Sequence, residues 1–416
     1  MTTERTELIS PASHGFGGPA HRAAVPPDAL VGTSLQDSGL LSTPFPCLDH
    51  QAVAHNIAVM ARYCEAAGVV LYPHGKTTMA PQLWDWQLAG GCKGLTAATI
   101  QQVRVMRQFG IKDILMANEL VSDGGVGWLA GELRDSADFT FTCYVDSAEA
   151  VDYLDDAMAR HGADQPLRVL VEIGHANGRT GCRTAEDARA VATRVVRSRH
   201  LRLVGVSAYE GSIVADSLES SLAAVREFCG FVRDVADKLT AEGLFDDVPI
   251  VSAGGSAFFD VVAEVLSGQG WEVILRSGCY LIHDHGKYDR VSPLNRVGGE
   301  RFRPALSVWS TVLSRPEPDR LVIDMGRRDV ANDAGAPVVV EAVARGGGSV
   351  AVDGLEVVRM FDQHIIVSSP RTSELRVGDR VRVGISHPCT TMDKWKWIPT
   401  VTDSDRIDGV IRTYFD

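Results

Sequence analysis

The feature that most restricts what this chain can fold into is a rhythm between about residues 50 and 285, where eight short apolar runs alternate with longer amphipathic ones. The runs are "VVLYP" (69–73), "GLTAA" (94–98), "DILMAN" (113–118), "FTCYVD" (141–146), "RVLVEI" (168–173), "LVGVSA" (203–208), "PIVSAGG" (249–255) and "EVILRSG" (272–278). Each has the length and β-branched content of a buried strand. Between them, stretches such as "TIQQVRVMRQFG" and "SLESSLAAVREFCGFVRDVADKL" repeat apolar residues three or four apart, the period of a helix. Eight strands alternating with helices predict a closed parallel (β/α)8 barrel of the TIM type, with an open doubly wound sheet as the alternative. In such a barrel the chemistry gathers where the strands end.

After about residue 295 the rhythm changes. "ALSVWSTVLSR", "DRLVIDMG", "PVVVEAVA", "SVAVDGLEVVRMFDQHIIVSS" and "DRVRVGISH" are β-branched, alternating and broken by turn signals. They predict a mostly antiparallel β domain that a strand before residue 50 can join. The expected organisation is a flexible N-terminal tail over 1–40, a barrel over 41–295 and the β domain over 296–416. The tail assignment rests on "SHGFGGPAHRAAVPPDA", which has no periodic apolar face; it makes His14 and His21 plain tail residues rather than metal ligands.

Charge and hydropathy narrow the partners. A formal net charge of -12 leaves no cationic surface for a phosphate backbone, so nucleic acid is not expected. No run reaches the roughly 18 apolar residues of a membrane span, and the first 30 residues lack the order of a secretion signal. A cytoplasmic protein with no membrane partner is expected. The eight cysteines contain no CxxC pair and read as reduced thiols.

Within this frame a few side chains carry chemistry. "LYPHGKTTMAP" (71–81) places Lys76 directly after the first strand, where a desolvated amine can attack an aldehyde. "SAGGS" (252–256) and "RSGCY" (276–280) put small residues at the ends of strands seven and eight, where barrels commonly hold phosphate. "EIGHANGRTG" offers Arg179 at the end of strand five, and "SAYEGS" offers Tyr209 at the end of strand six. In the β domain, "GISHPCTTMDKW" sets His387 and Cys389 two apart, on one face if the segment is extended, an imidazole and a thiolate suited to zinc.

The lysine segment together with "SHPCTTMDKW" resembles the D-serine dehydratase and D-threonine aldolase family, fold-type III enzymes of pyridoxal 5'-phosphate (PLP) with an alanine racemase-like barrel. The likeness runs from "STPFPCLDHQAVAHNI" near residue 42 to about 402, and its two anchor motifs lie over 300 residues apart. The resemblance implies that Lys76 bonds the cofactor aldehyde, with His74 lining the same pocket. It places Arg179 and Tyr209 against the cofactor ring. Gly254, Gly255, Ser256, Gly278 and Cys279 would surround the phosphate, and His387 and Cys389 would bind Zn2+ or another divalent metal. Tyr72 stands where relatives often carry arginine.

The activity so implied is a PLP- and zinc-dependent lyase of D-3-hydroxy amino acids such as D-serine, giving a 2-oxo acid and ammonia, with Lys76, His74 and Tyr209 as its catalytic groups. The "HPCTTMDKW" block looks like that of D-amino-acid deaminases, which favours dehydration. A metal-activated D-threonine-type aldolase and a non-catalytic PLP carrier are the alternatives. The expected partners are a small amino acid substrate and a second copy of the chain in a homodimer.

Overall fold

The structure, a computed structural model, describes residues 7–402 and 405–415. Its first strand, β1 (Phe45–Asp49), ends on an aspartate whose carboxylate accepts the Ala52 N–H at 2.9 Å. This N-cap starts the helix His50–Ala67 and carries the chain into the barrel.

The barrel strands are β2 (Val70–Leu71), β3 (Leu95–Ala97), β4 (Asp113–Glu119), β5 (Thr140–Val145), β6 (Leu167–Ile173), β7 (Leu201–Ala208), β8 (Ile250–Ala253) and β9 (Glu272–Leu275). Every neighbouring pair is parallel, in the order β2-β9-β8-β7-β6-β5-β4-β3. A doubly wound sheet reverses its strand order at a switch point; this one runs round in sequence, which rules that alternative out. The ring closes between β2 and β3 through the Thr96 N–H to the Pro73 carbonyl at 2.9 Å and the Lys93 N–H to Leu71 at 3.2 Å. That seam lies three residues before Lys76. The interior below it is filled by Tyr72, Leu115, Tyr144, Leu170, Ile250 and Ile274. Tyr72 points its hydroxyl to Asp113 at the start of β4, 2.9 Å away. It therefore faces the end of the barrel opposite the mouth and does not set the charge of the mouth.

The second sheet holds β10 (Leu306–Glu317), β11 (Arg320–Ile323), β12 (Val338–Val343), β13 (Glu356–Met360), β14 (Ile365–Ser368), β15 (Arg380–Gly384), β16 (Trp397–Val401) and β17 (Ile407–Arg412), with β1 inserted between β10 and β16. All its pairings are antiparallel except β1 with β16. Among the described residues no helix is long and apolar enough to cross a membrane.

Residues 7–40 differ from the expected flexible tail. They are not periodic, yet Ile9, Phe16, Leu30 and Leu35 are buried in one apolar cluster with Phe45, Trp309, Trp397 and Ile407 of the β domain. The backbone is tied down as well: Ile9 and Val25 exchange both N–H bonds, and Gly32 N–H reaches the Ile407 carbonyl at 2.7 Å. His14 bonds Asp329 at 2.7 Å and stacks on Trp395, and His21 Nε2 lies 3.1 Å from the Ile9 carbonyl, so both histidines are used as packing groups. Leu30 is fully buried. Leu30→Ala should cost about 3 kcal/mol of stability, read by urea unfolding; a change below about 0.5 kcal/mol would mean that the segment does not pack in solution.

Candidate active site

The first barrel strand is short because Pro73, just beyond it, has no N–H to extend a ladder. The chain then makes one 3-10 turn, Gly75–Thr77, with Lys76 at its centre. The turn is tightly packed at Gly75, where a Cβ would lie 2.4 Å from Met106 Cε and 3.0 Å from Trp84 Nε1. The turn delivers Lys76, half-buried, to the barrel mouth.

His74 stands beside it with Nδ1 buried and unpartnered. Burial, and then the positive charges of Lys76, Arg276 and Arg179, hold its pKa well below the usual imidazole range. The ring is neutral at pH 7 and can pass a proton rather than carry a charge. Across the mouth the Arg179 guanidinium lies over the Tyr209 ring at 4.4 Å. Burial and then the neighbouring Glu210 raise the Tyr209 phenol, which stays a hydrogen-bond donor.

Two residues at the site escaped the sequence reading. Glu210, fully buried, accepts the N–H of Gly254 at 3.1 Å and of Gly255 at 2.6 Å. These are amides that were expected to face a phosphate, so that part of the expected cradle is already filled by a carboxylate. What remains for a phosphate is Ser256, Gly278 and Cys279, where the Cys279 N–H reaches Ser256 Oγ at 3.2 Å. Gly278 presses on the lysine turn so closely that a Cβ would meet Thr77 Oγ1 at 2.6 Å and His74 Cβ at 2.8 Å. Arg276, the second, is 3% exposed; it gives Nη1 to Ser252 Oγ (2.6 Å) and Nη2 to the Ala208 carbonyl (2.7 Å), while its Nε is buried without a partner. The available signals were an acid directly after Tyr209 and an arginine closing the eighth run.

His387 and Cys389 come together, though not along an extended strand. The chain leaves β15 at Gly384 and turns into a short helix, Cys389–Met392, so the turn sets their convergence. His387 Nδ1 is held by Asp333 at 2.7 Å, a third unanticipated residue, and this leaves Nε2 as the ligating nitrogen. Cys389 Sγ lies 3.5 Å from Thr77 Oγ1, next door to Lys76, and 3.5 Å from Cys279 Sγ. The hydrogen bond from Cys279, and then His387, hold the Cys389 thiol well below its ordinary pKa, so Cys389 is the thiolate of the pair. Against the pull of burial, Cys389 and Asp333 lift the His387 pKa. The ligand atoms of Cys279, His387 and Cys389 all lie within 4.8 Å of one another.

A second acidic group sits at the ends of β4 to β6, where Glu119, Asp146 and Glu172 approach within 4.8 Å. Burial, followed by the neighbouring Glu172, pushes the Glu119 carboxyl up to about 8. A carboxyl raised in the fold is protonated there while the unfolded chain has already lost its proton, so between about pH 4.5 and 8 stability falls as pH rises. Glu119→Gln should therefore leave the melting temperature near wild type at pH 5 and raise it by about 3 °C or more at pH 8.5. Parallel melting curves for the two proteins would refute this assignment.

The residues present fit PLP and a divalent metal. A half-buried amine, a neutral imidazole, an arginine with an unpaired buried Nε and small residues at two strand ends suit an anionic aldehyde cofactor, while imidazole and thiolate donors suit zinc.

A parallel (β/α)8 barrel with a lysine after its first strand, joined to an antiparallel β domain, defines an alanine racemase-like architecture. The alanine racemase N-terminal domain matches residues 48–264, and the serine dehydratase domain matches residues 305–401. The chain is 30% identical over 309 residues to D-threo-3-hydroxyaspartate dehydratase of Delftia sp. (strain HT23), covering 72% of this chain and 76% of the relative. It is 27% identical over 365 residues to 3-hydroxy-D-aspartate aldolase of Paracoccus denitrificans (strain Pd 1222), covering 87% and 89%. The crystal structure of D-threonine aldolase from Filomicrobium marinum superposes with a TM-score of 0.76 at 24% identity, over 92% of this chain and 97% of that one. The chain belongs to the D-serine dehydratase and D-threonine aldolase family of fold-type III PLP enzymes. Its class of activity is that of a PLP-dependent lyase.

Proposed function

We propose that the protein is a zinc-dependent ammonia-lyase of D-3-hydroxy amino acids, converting substrates such as D-serine to a 2-oxo acid and ammonia. The observation that carries this reading is the thiolate of Cys389 beside His387, one residue's contact away from Lys76. When bound, PLP supplies an electron sink that acidifies the substrate α-proton. A bound zinc ion supplies a Lewis acid that eases departure of the β-hydroxyl.

The chain's own groups supply the rest. Lys76 would hold the cofactor and, as the amine nearest the substrate, would be the base for the α-proton. Neutral His74 beside it stabilises and relays that proton without adding a positive charge. Arg179, stacked on Tyr209, and Arg276 keep the mouth cationic, which favours an anionic cofactor and a carboxylate substrate. Loss of the α-proton and the β-hydroxyl, then uptake of water and release of ammonia, gives the 2-oxo acid. A homodimer belongs to the same proposal.

Retro-aldol cleavage to glycine and an aldehyde is the second reading, and the aldolase relative that aligns over 87% of the chain favours it. Incubating the purified protein with D-serine, D-threonine, D-threo-3-hydroxyaspartate and their L forms separates the two. The expected products are 2-oxo acid and ammonia from a D form, abolished by a chelator. Glycine plus aldehyde would replace this reading by the aldolase one, and turnover untouched by chelation would remove the metal from it.

A further inference from the structure

Cys279 was expected to meet a cofactor phosphate through its backbone, and its N–H does face Ser256. Its side chain goes elsewhere. The thiol turns away to the β domain and stops 3.5 Å from Cys389 Sγ, across 110 residues of sequence. Both are free thiols, and Cys279 is buried. Two sulfurs each about 2.3 Å from one tetrahedral zinc stand roughly 3.8 Å apart, so the observed spacing is close to that of two thiolates on one ion.

We propose that Cys279 is a third protein ligand of the metal, completing a Cys279–His387–Cys389 site with one open position. The proposal rests on the metal-dependent reading above and extends it in the number and type of donors. Three independent features support it. The three donor atoms lie within 4.8 Å of one another. His387 is oriented by Asp333 on its far nitrogen, the carboxylate support that metal-bound imidazoles commonly have. And the two sulfurs are delivered by separate sheets, Cys279 from the loop after β9, where its N–H is held by Ser256, and Cys389 from the turn after β15.

The consequences differ from those of a two-residue site. A His-Cys pair holds an ion weakly and leaves it to be completed by substrate. Two thiolates and an imidazole hold zinc before any substrate arrives, in the three-ligand arrangement of catalytic zinc sites. Soft sulfur donors also select against magnesium and manganese, which prefer oxygen. Because Cys279 shares a loop with Gly278 and faces Ser256, the same residue joins the metal to the expected phosphate region, so cofactor and metal would be positioned together.

The test counts thiolates on the metal. Purified wild type and Cys279→Ser, each stripped with dipicolinate and titrated with cobalt(II), are compared by the near-ultraviolet sulfur-to-cobalt absorption per bound ion, which scales with the number of thiolates. Wild type should absorb about twice as strongly as the variant, and a competing chelator should show zinc held at least about tenfold more weakly by Cys279→Ser. Manganese affinity should change little. Circular dichroism of the metal-free proteins checks folding, and Cys279→Ala repeats the count if the serine variant is unstable. Equal absorption per cobalt with unchanged zinc affinity would overturn the proposal, as would a wild type with no sulfur-to-cobalt band. A wild type that shows two thiolates yet cleaves its substrate to glycine would uphold the site and sink only the choice of reaction.

Discussion

Lys76→Ala is expected to lower kcat/KM by about 10⁴-fold or more while leaving the fold intact. The side chain serves twice in the proposed cycle, as the tether of the cofactor and as the base at Cα, and no neighbouring residue can take over both roles. His74 is neutral and Tyr209 keeps its proton, so neither is a ready substitute for an amine. The fold should survive because Lys76 forms no ion pair among the described residues. Its charge in fact presses on His74, so alanine at 76 should raise the His74 pKa, visible as a shifted imidazole titration by NMR. Wild type incubated with PLP should turn yellow and keep a borohydride-fixed adduct on the peptide that contains residue 76. Full activity in the variant, or a fixed adduct on another lysine, would end the assignment.

Most of the barrel was legible because its signals are local. All eight apolar runs became strands, with edges displaced by a residue or a few; "VVLYP" kept only Val70–Leu71, since Pro73 and the turn at Gly75 shorten it. Their cyclic order followed from counting. The N-terminal segment differs from the expected tail for a physical reason: anchors such as Ile9 and Leu30 join one buried cluster without any period along the chain, and a search for periodic faces passes over them. The same blindness applies to the site. Lys76, Arg179 and Tyr209 announced themselves by position at strand ends, whereas Glu210, Arg276 and Asp333 matter through partners 44, 68 and 54 residues away in sequence. No spacing rule reaches that far. The family motifs did join residues 76 and 389 in advance, and the structure brings Cys389 to the residue adjoining Lys76 through Thr77. What the motifs could not supply was the side-chain direction of Cys279, which depends on where the β domain docks against the mouth.

Removal of Cys389 is the second large effect expected. Cys389→Ala should leave the purified protein with little zinc and lower kcat by about 10²-fold to 10³-fold, since the metal's contribution to charge stabilisation is several kcal/mol. The thiolate stands out among the chain's sulfurs. Burial pushes Cys47, Cys64 and Cys92 up to about 12, which makes them inert, whereas Cys389, alone of the eight thiols, is held below its ordinary value, by Cys279 first and then by His387. Zinc occupancy in the wild type should fail as His387 protonates, since a metal-bound imidazole must be neutral. His387 is lifted above the usual imidazole value, which puts that failure at a higher pH than for an unperturbed histidine. Because Cys389 also touches Thr77, its loss could disturb the lysine turn, and Cys389→Ser separates the two causes. Serine keeps the contact but is a poor zinc ligand, so it should restore PLP binding fully and activity hardly at all. Metal analysis beside the PLP spectrum of both variants reads each effect separately, and full turnover by a zinc-free Cys389→Ala protein would remove the metal from the reaction.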